Sequence, residues 1–286
     1  MGKIGIIGGT GLYKMLNIKN SQEIEIKTPF GKPSDVVFVG NCGDKEIVFL
    51  PRHGKDHTIL PTEINYRANI CALKLSGVTK IISISAVGSL KEEISPGQMV
   101  VVDQFFDRTN RRKDNTFFGD GLVAHVQFGD PVCHGLRNKI IMAGEKHTDV
   151  FYRTGTYVNM EGPAFSTKAE SLFYKSLGFD VIGMTNLVEA KLSREAEMCY
   201  ATIALVTDYD CWRVGEESVN VEMIIETINK NVDFSRNLVK SIIEILDPDE
   251  KCACNTNLQY ALVTAMDKVP QETKNKLSFL LAPYLK

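Results

Sequence analysis

The run Ile203-Ala204-Leu205-Val206-Thr207 constrains the fold most, because it has no polar face to turn toward water. Short, unbroken and mostly apolar, it predicts a strand in a parallel sheet covered on both faces. It empties into Asp208-Tyr209-Asp210-Cys211-Trp212. In open α/β sheets the ligand crevice lies beyond the C-terminal ends of the strands. The two acids therefore stand where a ligand is expected, although acids are equally at home in a solvated turn.

Other segments repeat this strand-then-polar-exit arrangement. Lys3 to Ile7 is a short apolar run that ends in Gly8-Gly9-Thr10-Gly11. Successive amides in such a turn can form an anion-binding nest, or the glycines can be purely steric. The Gly-Lys-Ser/Thr ending of a Walker loop is absent. Residues 35–39 and 46–50 predict a hairpin around 40–44, whose second strand exits at Arg52-His53-Gly54. Residues 80–90 predict another strand ending in small residues, with a hydroxyl at Ser85 followed by Ala86. Three strand exits thus offer donors at Thr10, Arg52, His53 and Ser85 with almost no acid among them, which predicts an oxyanion pocket.

Further strands are expected over 98–102, 154–160 and 178–183. Helices are expected over 61–76, 135–145, 168–177, 189–200 and 218–246. Thr167 and Glu170 have capping-box spacing, and Val221, Ile224, Ile225, Ile228, Val232, Val239 and Ile243 recur at helical spacing. Residues 103–131 read as a long loop, and one or two helices follow Asn255. The turn Glu161-Gly162-Pro163-Ala164-Phe165-Ser166 joins an acid, a glycine and an aromatic face, and Met184 beside Thr185 suits a ribose floor as well as it suits a core gap. With no internal repeat and no linker, the βα rhythm predicts one α/β domain over 1–286.

A formal charge of -2 from 33 basic and 35 acidic side chains gives no bulk attraction for nucleic acid. No apolar run approaches membrane-spanning length and no signal-peptide core opens the chain, so a cytoplasmic enzyme is expected. Seven scattered cysteines do not suggest a secreted disulfide scaffold. Cys252 and Cys254 form a C-x-C pair, either two ordinary thiols or a short-range disulfide or exchange site. No metal is expected, since no histidine lies near the pair in sequence.

The ordered segments GIIGGTGL, TPFGKPSD, PRHGKDHTILP, NYRANI, SAVGSLKEEI, EGPAFS and VTDYDCW span nearly the whole chain. This set resembles the purine nucleoside phosphorylase superfamily, in its trimer-forming branch and among the members that act on 5'-methylthioadenosine. The resemblance implies a single domain with a mixed central sheet distorted toward a barrel and flanked by helices. It implies phosphorolysis of 5'-methylthioadenosine to adenine and 5-methylthioribose 1-phosphate, or broader action on adenosine, inosine and guanosine. Inorganic phosphate is then a co-substrate and no cofactor is needed. Thr10, Arg52, His53, Ser85, Ala86 and Thr185 are implied as the phosphate site, Met184 and Phe165 as sugar and base contacts, and Asp208 and Asp210 as the pair that receives adenine. Val221, Ile224, His125 and Leu280 are implied around the 5' group, the last two reaching a neighbour's site in a trimer or dimer of trimers.

Two departures stand out against that resemblance: Ala164 occupies a position where arginine is usual, and Asn186-Leu187-Val188-Glu189 replaces a stretch that usually carries Pro-Glu. The C-x-C pair is similar to that of heat-adapted archaeal members that carry disulfides. On this reading Asp208 serves purine N7 and Asp210 the 6-amino group, as catalytic residues. The competing classes are a nucleosidase using activated water, a dinucleotide reductase with Glu23 or Glu25 reading a ribose, and a non-catalytic nucleotide-binding module.

Overall fold

Strands that are apolar on both faces must sit inside a sheet, with successive side chains entering different cores. The computed structural model describes residues 1–9, 18–110, 114–145, 151–213, 222, 226–227 and 232–285. In chain order the strands are β1 (Lys3–Gly8), β2 (Lys19–Ile24), β3 (Val37–Cys42), β4 (Lys45–Pro51) and β5 (Val78–Ser89). They continue with β6 (Met99–Val101), β7 (Gln104–Arg108), β8 (Phe151–Tyr152), β9 (Thr156–Met160), β10 (Val181–Gly183) and β11 (Cys199–Tyr209). Among the described residues they form one mixed, eleven-stranded sheet.

Helices cover both faces: α1 (Tyr66–Leu75), α2 (His134–Gly144), α3 (Lys168–Ser176), α4 (Asn186–Glu195) and α5 (Val232–Ile245). Ile7, Val48, Leu50 and Ile81 pack toward α1, α4 and the C-terminal segment. Ile4, Ile6, Phe49 and Ile82, their alternates on the same strands, pack toward α2 and α5. This period-two division explains why the runs carry almost no polar residue.

β5 organises the sheet. β11 runs parallel along one of its edges from Lys80 to Ser89. The other edge changes partner: β1 holds it in parallel up to Ser83, and β10 takes it antiparallel at Gly88 and Ser89. Residues Ile84 to Val87 therefore lie where the sheet splits. The strand order branches at β5 and β11 instead of closing, which is the distortion of the mixed sheet that was expected.

Several boundaries differ from the sequence expectations. α1 begins at Tyr66 because the Asn65 side chain accepts from Ala68 N at 3.1 Å and caps it there. α4 starts at Asn186 and ends at Glu195; Glu197 then takes φ +56 and β11 begins at Cys199, so the last two residues of the helix expected to Tyr200 are strand. Residues 196–200 are apolar enough for either element, and periodicity cannot separate the two over so short a run. The expected loop 103–131 contains β7, which pairs in parallel with β9. The capping box of Thr167 and Glu170 is present. Of the helix expected over 218–246, Val232–Ile245 is the main part within the described residues. Among the described residues no helix is long and apolar enough to cross a membrane.

Candidate active site

At the split in the sheet, one polar group after another closes the gap that missing strand pairing leaves on β5. Arg52, at the exit of β4, is buried, and its Nη1 donates to the Ile84 carbonyl at 3.0 Å. Its Nη2 donates to Ser83 Oγ at 2.6 Å and to Glu189 Oε2 at 3.2 Å, while Nε binds Glu189 Oε1. Burial opposes the Arg52 charge, but the Glu189 carboxylate more than offsets it and holds the guanidinium protonated. Four of the five N–H donors are thus engaged. Arg52 is chiefly paired inside the protein, whereas the sequence suggested an arginine open to an anion.

Glu189 belongs to a buried polar network. Ser83 Oγ donates to its Oε2 at 2.6 Å and Tyr200 Oη does so at 3.0 Å. Asn186 Nδ2 reaches Ser83 Oγ at 2.9 Å and Thr202 Oγ1 at 3.2 Å. Both residues come from the departing stretch 186–189, which here supplies the partners that fix Arg52.

Ser85 lies one residue beyond this network, and its Oγ is buried without a hydrogen-bond partner among the described residues. Ala86 beside it is exposed. The β10–β5 ladder ends at Ile182 opposite Gly88, and Met184 and Thr185 follow β10 directly, leading into α4. Thr185 is buried at the N-cap of α4, and its Oγ1 donates to Asn186 Oδ1 at 3.2 Å rather than capping the helix. His53 is half-buried, with Nδ1 2.8 Å from the Ile59 carbonyl. Burial first, then the Arg52 charge, lowers its pKa to about 4, so the ring is neutral near neutral pH and Nε2 remains an acceptor.

The other end of the split carries the acids. The β11–β5 ladder shifts at Thr207, which sets Asp208 opposite Gly88. Gly88 is glycine for a steric reason: a Cβ there would meet Asp208 Oδ1 at 2.9 Å and Asp210 Cβ at 3.3 Å. Both acids therefore crowd one point of β5, and both are buried. Thr207 Oγ1 donates to Asp208 Oδ2 at 2.7 Å. Asp210 Oδ2 is buried with no hydrogen-bond partner among the described residues. Burial raises the Asp210 pKa above the usual carboxylate range, with the nearby Ser171 and Ser166 hydroxyls holding part of the rise back.

Cys211 Sγ lies 3.2 Å from the Ser166 carbonyl, which draws the 161–166 turn over the same end. Met184 Sδ fills the space beside Gly162, where a Cβ would come within 2.6 Å of it, and Phe165 is exposed on that turn. Four residue steps of about 3.3 Å separate Ile84, held by Arg52, from Gly88, held by the acids. The two ends are thus about 13 Å apart along β5, enough for a nucleoside with an oxyanion under its sugar.

Not every expected residue joins this arrangement. Thr10, Val221 and Ile224 lie outside the described residues. His125 is exposed, on a segment whose backbone pairs with Ala261. Leu280 does not reach outward; it is 3% exposed in the chain's own core beside Leu277 and Leu281, because its short helix packs that face inward. The implied Cys252–Cys254 disulfide is not formed, and all seven cysteines are free. Cys252 N donates to Asn255 Oδ1 at 2.9 Å, and its sulfur lies 3.5 Å from that of Cys133 on another element. Sequence reasoning missed Ser83, Asn186, Glu189 and Tyr200 as a unit; the only signal was the unusual polarity of 186–189 after an apolar strand.

Residues 3–244 match the family described as the Phosphorylase superfamily. An S-methyl-5'-thioadenosine phosphorylase of Geobacter sulfurreducens is 50% identical over 282 residues, covering 99% of each chain. A methylthioadenosine phosphorylase from an antarctic soil metagenomic library superposes with a TM-score of 0.92 at 44% identity, covering 98% of this chain and 99% of that one. The methylthioadenosine phosphorylase of Schistosoma mansoni, solved with adenine, gives a TM-score of 0.82 at 35% identity over 99% of this chain and 98% of that one.

Proposed function

The chain belongs to the phosphorylase superfamily, and from that membership we propose that it cleaves 5'-methylthioadenosine with inorganic phosphate, giving adenine and 5-methylthioribose 1-phosphate. The observation that carries the reading is the pair of buried acids crowding Gly88 near the C-terminal end of β5, with the unpartnered Ser85 hydroxyl three residues before it on the same strand. It is a pentosyltransferase, and we read residues 1–286 as one cytoplasmic domain serving purine and methionine salvage.

Phosphate sits beneath the anomeric carbon, held by Ser85 Oγ, the Ala86 amide, Thr185 and the remaining Nη1 hydrogen of Arg52. Thr10 completes the donor set, and His53 Nε2 accepts the P–OH hydrogen of monohydrogen phosphate. Its negative charge stabilises the positive charge that develops on the sugar as a phosphate oxygen bonds to the anomeric carbon and the bond to purine N9 breaks. The bonding electrons pass into the purine, and Asp208, protonated in the complex, supplies the proton at N7. Asp210 Oδ2 accepts from the 6-amino group. A 6-oxo purine would set acceptor against acceptor in a buried place, which selects adenine. Met184 lies under the ribose and Phe165 beside the base.

We read the 5' wall as shared between subunits. Exposed Val123, Tyr260 and Val263 surround exposed His125, which supports a homotrimer or dimer of trimers in which this strip reaches a neighbour's pocket with Val221 and Ile224. Initial rates of adenine release from 5'-methylthioadenosine, measured with and without phosphate, test the function. Release should require phosphate and saturate with it. Equal release without phosphate would make the protein a nucleosidase, and tight binding without release would make it a binding module.

A further inference from the structure

Four cysteines from separate parts of the sequence converge at the opposite end of β11 from the acids. Cys133 is the N-cap of α2, Cys199 opens β11, and Cys252 and Cys254 lie at the 3-10 turn Ala253–Thr256. Cys199 stands nine strand steps from Asp208, roughly 30 Å away, so the cluster is separate from the active site. The four Sγ atoms all lie within 4.8 Å of one another, and those of Cys133 and Cys252 are 3.5 Å apart. Three of these residues are buried and Cys252 is half-buried.

A disulfide needs sulfurs about 2.05 Å apart, and none of these pairs is bonded. A tetrahedral zinc ion with Zn–S bonds of about 2.3 Å holds its sulfurs roughly 3.8 Å apart. The observed separations fit the second arrangement. Free cysteine is often buried as a small apolar group, which accounts for one or two thiols in a core. It does not account for four sulfurs meeting at one point from positions 133 to 254.

The surroundings suit a negatively charged centre. A cavity of about 80 Å³ beside the sulfurs is lined by Lys80, Lys139 and Lys251, with Glu250 the one acid in its lining. The Leu136 amide, in the first turn of α2, donates to Cys133 Sγ at 3.5 Å, and a helix N-terminus favours a thiolate.

We propose that Cys133, Cys199, Cys252 and Cys254 form a structural zinc site holding one Zn²⁺ per chain. Binding releases four thiol protons to solvent and leaves a centre of net charge -2, balanced by the three lysines. The ion joins the C-terminal segment to the sheet. Immediately beyond it, Asn255 Nδ2 donates to the Glu197 carbonyl at 3.1 Å and the Leu258 amide to Glu197 Oε1 at 2.9 Å. The same segment then bridges Ala124 through Leu262, so the ion also braces the strip that carries His125.

The test uses the full chain, purified with thiols kept reduced and titrated with zinc. Elemental analysis should give one zinc per chain. Four further thiols should become reactive toward a thiol reagent when a strong chelator strips the metal, Cys71 being buried in either state, and Tm should fall on stripping. Replacing the ion with Co²⁺ should give the visible absorption of a tetrahedral tetrathiolate, a readout that needs no variant. Cys252→Ser with Cys254→Ser should lower zinc content on the order of ten-fold or more, and the Tm of that variant should no longer respond to the chelator. Wild-type protein that binds no zinc under these conditions would overturn the proposal. So would iron as the bound metal, or a non-reduced mass showing the four cysteines joined in pairs in protein isolated without air.

Discussion

Asp210 keeps a carboxylate oxygen buried with no partner among the described residues, a situation that costs roughly 1–3 kcal/mol when nothing fills it. In the proposed complex the 6-amino group of adenine fills it. Asp210→Asn should therefore shrink the preference for adenosine over inosine, read as the ratio of kcat/KM values; an unchanged ratio would remove Asp210 from base recognition. The same residue sets a pH dependence. Burial raises its pKa, and the ionised form is the one that accepts, so activity falls as pH drops through that raised value. The acid limb of kcat/KM, which reports the free enzyme, should lie above the ordinary aspartate range and disappear in Asp210→Asn. Persistence of the limb in that variant would assign it to another group. The two acids were legible in the sequence because a parallel strand delivers its next residues to the ligand crevice. The crowding of both against Gly88 was not, since it depends on a register shift at Thr207 that no local pattern marks.

At the scale of elements, the anion end depends on α4 meeting the exit of β4. Arg52 and Glu189 are 137 residues apart, buried, and linked through Ser83 and Tyr200. Removing one partner of a buried pair costs about 3–5 kcal/mol, because the other charge is left without compensation. Glu189→Gln should lower unfolding stability by about that amount in denaturant titration, and a loss below about 1 kcal/mol would show that Arg52 does not depend on it. Gly88→Ala makes the contrasting prediction. Its Cβ would come within 2.9 Å of Asp208 Oδ1, so kcat/KM for 5'-methylthioadenosine should fall while phosphate affinity at Ser85 and the Ala86 amide is retained. Equal loss of both would mean that the strand itself is disturbed. Strand exits rich in donors were visible from composition at Arg52, His53 and Ser85. That Arg52 turns inward was not, because pairing across such a separation leaves no periodic trace. For the same reason the four cysteines read as an isolated C-x-C pair and two unrelated thiols.

For the whole molecule, the alternation of apolar runs with helical periods predicted strands and helices of an α/β fold, whereas the mixed character of the sheet was implied only by the family resemblance. β7 escaped because its exposed and half-buried residues lack the apolar signature of the central strands. The trimer or dimer of trimers implied by the family resemblance predicts a solution mass of about three or six times the 31.8 kDa chain, with the exposed apolar residues near His125 as the face it would cover; a monomer would remove the proposed shared 5' wall. The central claim is that one pocket along β5 holds an oxyanion at one end and a purine at the other. The most direct measurement is a crystal structure with an uncleavable analogue of 5'-methylthioadenosine and sulfate. It should place the purine N7 and 6-amino edge within hydrogen-bond distance of Asp208 and Asp210, and the sulfate against Ser85 and the Ala86 amide. A purine seated away from both acids, or a sulfate that never approaches Ser85, would contradict the account.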